Sequence, residues 1–431
     1  MDKRTCLLFP KFNEGFIMRK VPLGLAYLAA SLKEAGIYVE AYNLNVDDFD
    51  GIDFKKFDFV GLTCLTPFVD EVRMLCEKIK KQNPGLKIVV GGAHPTYKTI
   101  EIFDELPLID YAVKGEGEIS FVQLVLSNES RPSIPGVYFR QTDGKVAGMP
   151  NELIDISRLP YPDQRIFDHG RLEERNPFRA IMASRGCPFK CFNCQPILSI
   201  VQPTRLRACE DVFGEIRFLQ QTYGQEYFGF VDSEFPLKKS WLIKLYELIK
   251  KNDIRFSFHC NARSDLLDLD ILKIFRELNI SRLAIGVESG VQRVIDKVLH
   301  KNIDLERTFE VFELARRTGI KTHAHFMIGV PGETLSDMEQ TLDYAMKVPA
   351  ESIEFNMLTP WPGTAFFDLC TGKGFLVEQN TAKFNEKRKC YVSTDKFTNS
   401  EVEGFYMKIR TTLTSRGWTN SEDGSVYFRK Q

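Results

Sequence analysis

The sequence lacks any uninterrupted apolar run long enough to cross a bilayer, and its start, MDKRTCLLFPKF, lacks the apolar stretch of a signal peptide. It also lacks an excess of charge of either sign, because 57 lysines and arginines stand against 58 aspartates and glutamates. No global field therefore draws the chain toward nucleic acid or an anionic membrane. We expect a cytoplasmic protein with no transmembrane segment and no nucleic-acid partner.

The chain has 431 residues, which predicts two or three domains. In its first part, short apolar strands alternate with helices, which indicates an α/β fold with a Rossmann-like parallel sheet. No G-x-G-x-x-G follows the first strand, so a nicotinamide site is disfavoured. The ligand site of such a sheet lies beyond the carboxyl ends of its strands. The predicted strands are Thr5–Pro10, Tyr38–Asn43, Phe59–Cys64, Lys87–Val90 and Asp110–Val113.

A second alternating series starts near Phe178 and contains six strand–helix units. This pattern predicts a partial (β/α)6 barrel with its chemistry at the carboxyl ends of the strands. A connector rich in proline, glycine and aspartate precedes it, with a hairpin around Val137–Val146. The predicted organisation is a Rossmann-like domain at 1–135, a linker at 136–176, the barrel at 177–365 and a small C-terminal, substrate-side cap at 366–431.

Three cysteines follow the first barrel strand with the spacing C-x3-C-x2-C: Cys187, Cys191 and Cys194. Gly186 permits a sharp exit from the strand and Pro188 discourages a helix, so the loop can curl its sulfurs around one centre. Three thiolates on a four-iron cluster leave one iron open, as a catalytic site needs. A zinc site completed by Cys209 or a histidine remains an alternative, and three packed cysteines are disfavoured by the polar loop.

The spacing and placement of these cysteines resemble radical S-adenosylmethionine (SAM) enzymes, as do five later strand ends in the same order. These read FVDSEF from Phe230, NARSD from Asn261, GVESG from Gly286, FMIGVPGET from Phe326 and NMLTPWPGT from Asn356. The resemblance implies a 4Fe–4S cluster on the three cysteines and SAM on its free iron. Asn193 departs from the aromatic residue usual before the last cysteine, and Phe192 stands one position earlier. The SAM contacts that the resemblance implies are Phe192, Asp232, Glu234, Arg263, Glu288, Ser289, Gly329, Pro331, Gly332 and Asn356.

The first part of the chain resembles the cobalamin-binding domains fused to this class, on PLGLAYLAA from Pro22, GGAHPT from Gly91 and GEGE from Gly115. The D-x-H-x-x-G element, whose histidine ligates cobalt in some of these domains, is absent. We therefore expect His94 to anchor the backbone or contact the cofactor's tail. A domain that keeps the fold without cobalamin is the alternative. The implied cobalamin contacts are Cys64, Leu65, Thr66, Gly91, Gly92, His94, Gly115 and Glu116.

Both resemblances together imply a cobalamin-dependent radical methyltransferase that methylates an unactivated carbon of a small-molecule or natural-product substrate. A 5′-deoxyadenosyl radical would activate that carbon, methylcobalamin would donate the methyl group, and flavodoxin or ferredoxin would supply electrons. A radical cyclase or rearranging enzyme, and a non-catalytic metal-binding partner protein, are the alternatives. Cys390 and Tyr391 are candidate hydrogen donors on the substrate side. His323 and His325 share a strand face, where a satisfied core pair is favoured over substrate contact.

Overall fold

The computed structural model describes residues 3–11, 21–127, 129, 131–167, 179–194, 203–384, 389–421 and 426–428. The chain forms two compact units. The first comprises Met1–Pro177 with Asn380–Asn385, and the second comprises Phe178–Gln379 with Glu386–Gln431. The predicted hairpin lies in the sheet of the first unit, and the domain limits drawn from the sequence stay a prediction.

The first unit is built on a seven-stranded sheet of order β2-β1-β3-β4-β5-β6-β7. Strands β1 to β5 pair in parallel, and β6 and β7 add an antiparallel hairpin at the edge. The order 2-1-3-4-5 places a topological switch point at β1 and β3, where ligands of such sheets bind. The elements are β1 (Arg4–Phe9), α1 (Leu23–Glu34), β2 (Tyr38–Asn43), β3 (Phe59–Thr63), α2 (Val69–Gln82), β4 (Lys87–Gly91), α3 (Ala93–Tyr97), α4 (Ile102–Glu105), β5 (Tyr111–Val113), α5 (Ser120–Leu126), β6 (Val137–Arg140) and β7 (Val146–Gly148).

Helix α2 illustrates why these segments fold as they do. Val72, Cys76 and Ile79 recur at helical spacing and are buried against the sheet. Asp70 stands in the first turn and Lys80 in the last, where each charge complements the helix dipole. The neighbouring strands β1 and β3 carry unbroken buried runs at Thr5–Phe9 and Phe59–Leu62, as strands buried on both faces do.

The second unit contains six parallel strands in the order β8-β11-β12-β13-β14-β15 read from one edge, the arrangement of a partial (β/α)6 barrel. Its elements are β8 (Arg179–Ile181), β9 (Ser184–Arg185), β10 (Arg205–Leu206), α6 (Cys209–Tyr223), β11 (Tyr227–Phe230), α7 (Lys239–Lys251), β12 (Ser257–Ala262), α8 (Leu269–Glu277), β13 (Ile280–Glu288), α9 (Gln292–Lys297), α10 (Leu305–Arg317), β14 (Thr322–Ile328), α11 (Leu335–Lys347), β15 (Ser352–Met357), α12 (Ala365–Lys373), α13 (Asn399–Ser415), β16 (Thr419–Asn420) and β17 (Val426–Phe428).

The predicted fold class is confirmed, and most strand limits differ from the prediction by one or two residues. The edge of the second sheet was not predicted: β17 pairs antiparallel with β15 and with β16. The three residues of β17 are too few for a periodic pattern to indicate a strand, and they become a strand by pairing with β15. Among the described residues, no helix combines the length and the apolar character that a membrane span needs.

Candidate active site

The loop that carries the three cysteines is closed at its base by a two-stranded ladder, in which Arg185 pairs with Arg205 and Ser184 with Leu206. Asp232, which follows β11, holds the start of this loop. Its carboxylate accepts hydrogen bonds from Ala183 N at 3.0 Å and from Ser184 Oγ at 2.5 Å. Burial raises the pKa of Asp232 to about 6, and these hydrogen bonds act against that rise. Asp232 therefore positions the cysteine loop from below.

The three cysteine side chains lie in the loop that follows β9. Cys187 is buried, and Cys191 and Cys194 are half-buried. Burial raises the pKa of all three thiols, that of Cys194 to about 11. The Cys191 thiolate also raises the pKa of Cys187, and both of these thiolates raise the pKa of Cys194. Thiolates that act on one another in this way suit a metal cluster, whose positive charge stabilises them.

Arg263 lies at the end of β12 with its guanidinium against the cysteine loop. Its Nη1 is 3.6 Å from Cys191 Sγ, and its guanidinium carbon lies 3.6 Å from the centre of the Phe189 ring. Asp265 binds Arg263 through both carboxylate oxygens, at 3.0 and 2.9 Å, and Lys301 O accepts a further hydrogen bond. Arg263 is therefore a rigid cation beside the sulfurs.

Glu288 ends β13 and forms an ion pair with Lys301, whose Nζ lies 2.7 Å from Glu288 Oε1. Burial acts to lower the pKa of Lys301, but the carboxylates of Glu288 and Glu234 outweigh it and raise that pKa. Burial raises the pKa of Glu234 to about 7, although Lys301 and Arg263 pull it down. Two buried cations and two carboxylates thus face the cysteine loop, an arrangement suited to a zwitterionic amino acid.

A cavity of about 450 Å³ opens beside this group. Phe192 closes one side: its amide donates to Leu299 O at 2.9 Å, and its ring centre lies 4.0 Å from that of His300. The Phe192 ring also meets Phe366 edge-on at 5.9 Å. Phe192 stands one position before the usual aromatic position, and its ring nevertheless forms part of the cavity wall. The wall consists of Pro188, Phe189, Lys190, Phe192, Arg263, Asp265, His300, Lys301 and Asn302.

The remaining predicted SAM contacts lie at the same carboxyl edge of the sheet but outside that wall, as far as the described residues show. Ser289 is buried, and its hydroxyl bonds Thr341 Oγ1 and Val291 N at 3.2 Å each. Gly329 (φ +76°) and Gly332 (φ +98°) make the turn after β14, and Pro331 lies between them. Asn356, near the end of β15, is exposed.

Cys390 and Tyr391 are both buried. Cys390 Sγ lies 3.3 Å from Val392 O, and a β-carbon on Gly329 would come within 3.6 Å of it. Neither residue lines the cavity described above. Their role as hydrogen donors stays a prediction.

In the first unit, the predicted cobalamin contacts meet at the carboxyl ends of β3 and β4. Cys64 N donates to Gly91 O at 2.7 Å, and His94 N donates to Cys64 O at 3.1 Å. Gly92 has φ +105°, and a β-carbon there would lie 3.1 Å from Cys64 O. Only glycine allows these two loops to approach so closely.

His94 is buried with both ring nitrogens engaged. Its Nδ1 lies 3.1 Å from Thr66 Oγ1, and its Nε2 lies 2.5 Å from Glu105 Oε2. Lys98 binds the other oxygen of Glu105 at 3.1 Å. This network supports a positioning role for His94 under the Leu65–Thr66 backbone.

The loop after β5 lies beside these residues. Gly115 (φ +79°) donates from its amide to Thr96 Oγ1 at 3.0 Å, and a β-carbon on it would come within 2.6 Å of Asn151 Nδ2. Glu116 is buried, and its carbonyl accepts a hydrogen bond from Asn151 at 3.0 Å. All the predicted cobalamin contacts therefore belong to the ends of three neighbouring strands, β3, β4 and β5.

Sequence reasoning missed Lys301, His300 and Asp265 as site residues. His300 and Asn302 both have positive φ, of 50° and 54°, and this turn aims Lys301 at Glu288. No strand end or motif marks that turn. Asp265 stands inside the quoted NARSD segment, and its spacing from Arg263 is the signal that could have found it.

Comparison with known proteins agrees with this geometry. The family model of the radical SAM superfamily matches residues 181–345, and that of the B12 binding domain matches residues 20–125. An uncharacterised methyltransferase of Pyrococcus horikoshii is 28% identical over 375 residues, which cover 84% of this chain and 81% of the relative. An anaerobic magnesium-protoporphyrin IX monomethyl ester cyclase of Rubrivivax gelatinosus is 29% identical, covering 87% of this chain and 71% of the relative.

Among solved structures, the radical SAM methyltransferase TsrM of Kitasatospora setae, with cobalamin and a 4Fe–4S cluster bound, superposes with a TM-score of 0.74. It is 19% identical, and the match covers 99% of this chain and 88% of that one. The likeness shows a shared fold across both units. With a three-cysteine loop in the barrel and a sheet of cobalamin-binding type before it, the chain carries a domain of the radical SAM superfamily at 181–345 and a B12 binding domain at 20–125.

Proposed function

We propose that the protein is a cobalamin-dependent radical SAM methyltransferase that adds a methyl group to an unactivated carbon of a small molecule. The observation that carries this is the presence in one chain of a cysteine site and a cobalamin-type sheet, each matched by its own family. When bound, the cluster and cobalamin supply one-electron cleavage of SAM and transfer of its methyl group.

The residues of the barrel hold the reacting sulfonium compound in place. Cys187, Cys191 and Cys194 are the donors for the cluster. Arg263 and Lys301 present positive charge to the carboxylate of SAM, and Glu234 and Glu288 present acceptors to its amino group and ribose hydroxyls. Because these groups are already fixed by ion pairs, little reorganisation is needed when SAM binds.

In the first unit, the residues around Cys64–Thr66 form the surface that would contact cobalamin. Because His94 is hydrogen-bonded to Thr66 and Glu105, it would hold this surface in place and would not bind the metal. Cobalamin bound on this surface would supply the methyl group. Electrons come from a reductant such as flavodoxin or ferredoxin.

The test is an anaerobic reaction of the full chain with iron, sulfide, cobalamin, SAM and a reductant. We expect both 5′-deoxyadenosine and S-adenosylhomocysteine, and neither deoxyadenosine nor cluster absorbance from the Cys191→Ala variant. With its substrate present, the parent should give a product one methylene heavier. Deoxyadenosine without S-adenosylhomocysteine would reject methyl transfer.

A radical cyclase is the second candidate, because the Rubrivivax relative is named as one and matches this chain over 87% of its length. The two functions differ in product mass. A cyclase leaves no added methyl group, so a product that retains the substrate's carbon count while deoxyadenosine forms would favour it.

A further inference from the structure

Two histidines and a glutamate face one another on β14 and β15. The register pairs His323 with Ser352 and His325 with Glu354. The alternate residues Phe326 and Phe355 stack on the other face, where Phe326 meets Tyr344 of α11. Since helices cover that face, the histidines and the glutamate point to the concave interior of the barrel.

The hydrogen bonds within this group are long. Glu354 Oε2 lies 3.4 Å from His323 Nε2 and 3.4 Å from His325 Nδ1, whereas N–H···O bonds usually span roughly 2.7–3.2 Å. Ligands at ~2.0–2.1 Å from a tetrahedral zinc ion are separated by roughly 3.3–3.4 Å. All three candidate ligand atoms lie within 4.8 Å of one another. The two spacings to Glu354 therefore match edges of a coordination tetrahedron.

The surroundings prepare His323 as a ligand. Its Nδ1 lies 2.7 Å from Ser352 Oγ, the kind of contact through which metal-bound histidines are usually oriented. Burial lowers the pKa of His323, and the positive charges of His325 and Arg282 act in the same direction against the hydrogen bond to Glu354. His323 is thus neutral near pH 7, which leaves a ring nitrogen lone pair available for a cation.

The carboxylate supplies the negative charge. Burial acts to raise the pKa of Glu354, but hydrogen bonds with His323 and His325 outweigh it and lower that pKa to about 2. Arg282 is exposed on β13 beside the start of β14, and its positive charge also acts on His323. Glu354 is therefore the anionic member of the group.

We propose that His323 Nε2, His325 Nδ1 and Glu354 Oε2 bind one first-row divalent cation of the Zn²⁺ type inside the barrel. The side chains of His325 and Glu354 are 35% and 22% exposed, so the cation reaches the site from the interior. Three protein ligands leave one position for water or an oxygen of a bound molecule, as in open zinc sites. None of the three cluster cysteines takes part.

The experiment uses the full chain with Cys187, Cys191 and Cys194 all changed to alanine, which removes the cluster and its thiolates. Titration with Co²⁺ should give visible d–d absorption that saturates at one equivalent. His325→Ala and Glu354→Gln, each added to that background, should abolish the bands. Ser352→Ala should weaken the affinity by roughly 10–100-fold, because it removes the partner that orients His323.

Glu351→Gln is the matched control, since Glu351 is an exposed carboxylate just before β15. It should leave both the bands and the stoichiometry unchanged. Circular dichroism establishes that each variant is folded. Saturable bands that survive both His325→Ala and Glu354→Gln, or no bands in the folded background protein, would overturn the proposal. Because the cluster is absent throughout, neither result depends on the proposed methyl transfer.

Discussion

Glu288 and Lys301 form a buried ion pair whose carboxylate stands on left-handed backbone: Glu288 has φ +73°, and its Oε1 lies 2.7 Å from Lys301 Nζ. A left-handed non-glycine residue is strained and persists where its surroundings hold it. Here the register between β13 and β14 shifts between Gly286 and Glu288, so the strand ends in a bulge. The bulge turns Glu288 toward Lys301 and the cysteine loop.

Gly286 makes room for this pair, and Gly286→Ala should break it. A β-carbon there would lie 2.6 Å from Glu288 Oε1 and 2.7 Å from Lys301 Nζ. We expect the variant to push the ends of both side chains aside, at a stability cost toward the low end of the roughly 1–3 kcal/mol of overpacking, and to bind SAM more weakly. Thermal unfolding and calorimetric titration with SAM measure both effects.

Gly372→Ala is the control for that change. Gly372 lies in α12, where an added β-carbon would meet no neighbouring side chain within 4 Å, and alanine there should stabilise by roughly 0.5–1 kcal/mol. Parent-like SAM binding by Gly286→Ala would show that the ion pair does not contribute to the SAM site.

Cys191→Ala should abolish the iron–sulfur cluster. Its sulfur is one of the three proposed cluster ligands and lies 3.6 Å from Arg263 Nη1. Iron and sulfide analysis after anaerobic reconstitution, with the visible absorption spectrum, measures the loss. Cys76→Ala changes a buried cysteine of α2 and should retain full iron. Zinc in place of iron in the parent protein would instead favour the structural zinc site.

Glu333 should make folding stability depend on pH. It is fully buried, and its Oε2 accepts a hydrogen bond from Val330 N at 3.1 Å. Burial raises the pKa of Glu333 from 4.5 to about 8. The folded state therefore binds more protons than the unfolded state between these values, so stability falls as the pH rises through that window.

One such group changes the free energy of unfolding by up to about 1.4 kcal/mol per pH unit. Glu333→Gln imitates the protonated side chain and should flatten the dependence, measured by denaturant unfolding from pH 5 to 8. Glu306→Gln, an exposed carboxylate of α10, should leave the slope as in the parent. An unchanged slope in Glu333→Gln would mean that Glu333 is ionised in the folded protein.

His94 should not ligate cobalt. With Nδ1 on Thr66 and Nε2 on Glu105, its ring has no nitrogen left to offer. The electron paramagnetic resonance spectrum of cob(II)alamin bound to the protein should lack splitting from a protein imidazole nitrogen, and His94→Gln should leave that spectrum unchanged. Nitrogen splitting that disappears in His94→Gln would contradict this prediction.

The strands and the strand-end residues could be predicted from sequence because period and position determine them. Tyr38–Asn43 has the limits that its apolar pattern gives. Arg263 and Glu288 could be placed at the barrel mouth because parallel strands end at one edge. Asp232 was predicted to contact SAM, and the structure turns both of its oxygens to the cysteine loop.

Contacts that depend on tertiary packing could not be predicted. Lys301 reaches Glu288 because its neighbours His300 and Asn302 adopt left-handed backbone after α9. The hydrophobic periodicity of a sequence does not predict such a turn. The metal-ligand geometry of His323, His325 and Glu354 depends on the register of β14 against β15, which brings together residues 29 to 31 positions apart. Sequence showed that the two histidines share a face but not that Glu354 lies opposite.

The short return of the chain into the first unit affects how that unit can be isolated. Thr381–Lys383 forms a helical turn that contacts Thr66–Phe68, and Ala382 is buried in the core of that unit. A fragment cut after residue 177 would leave Ala382 behind and open a gap beneath the Thr66 loop. Expression of the cobalamin half by itself should therefore require the 380–385 peptide, supplied in trans or spliced on by a linker.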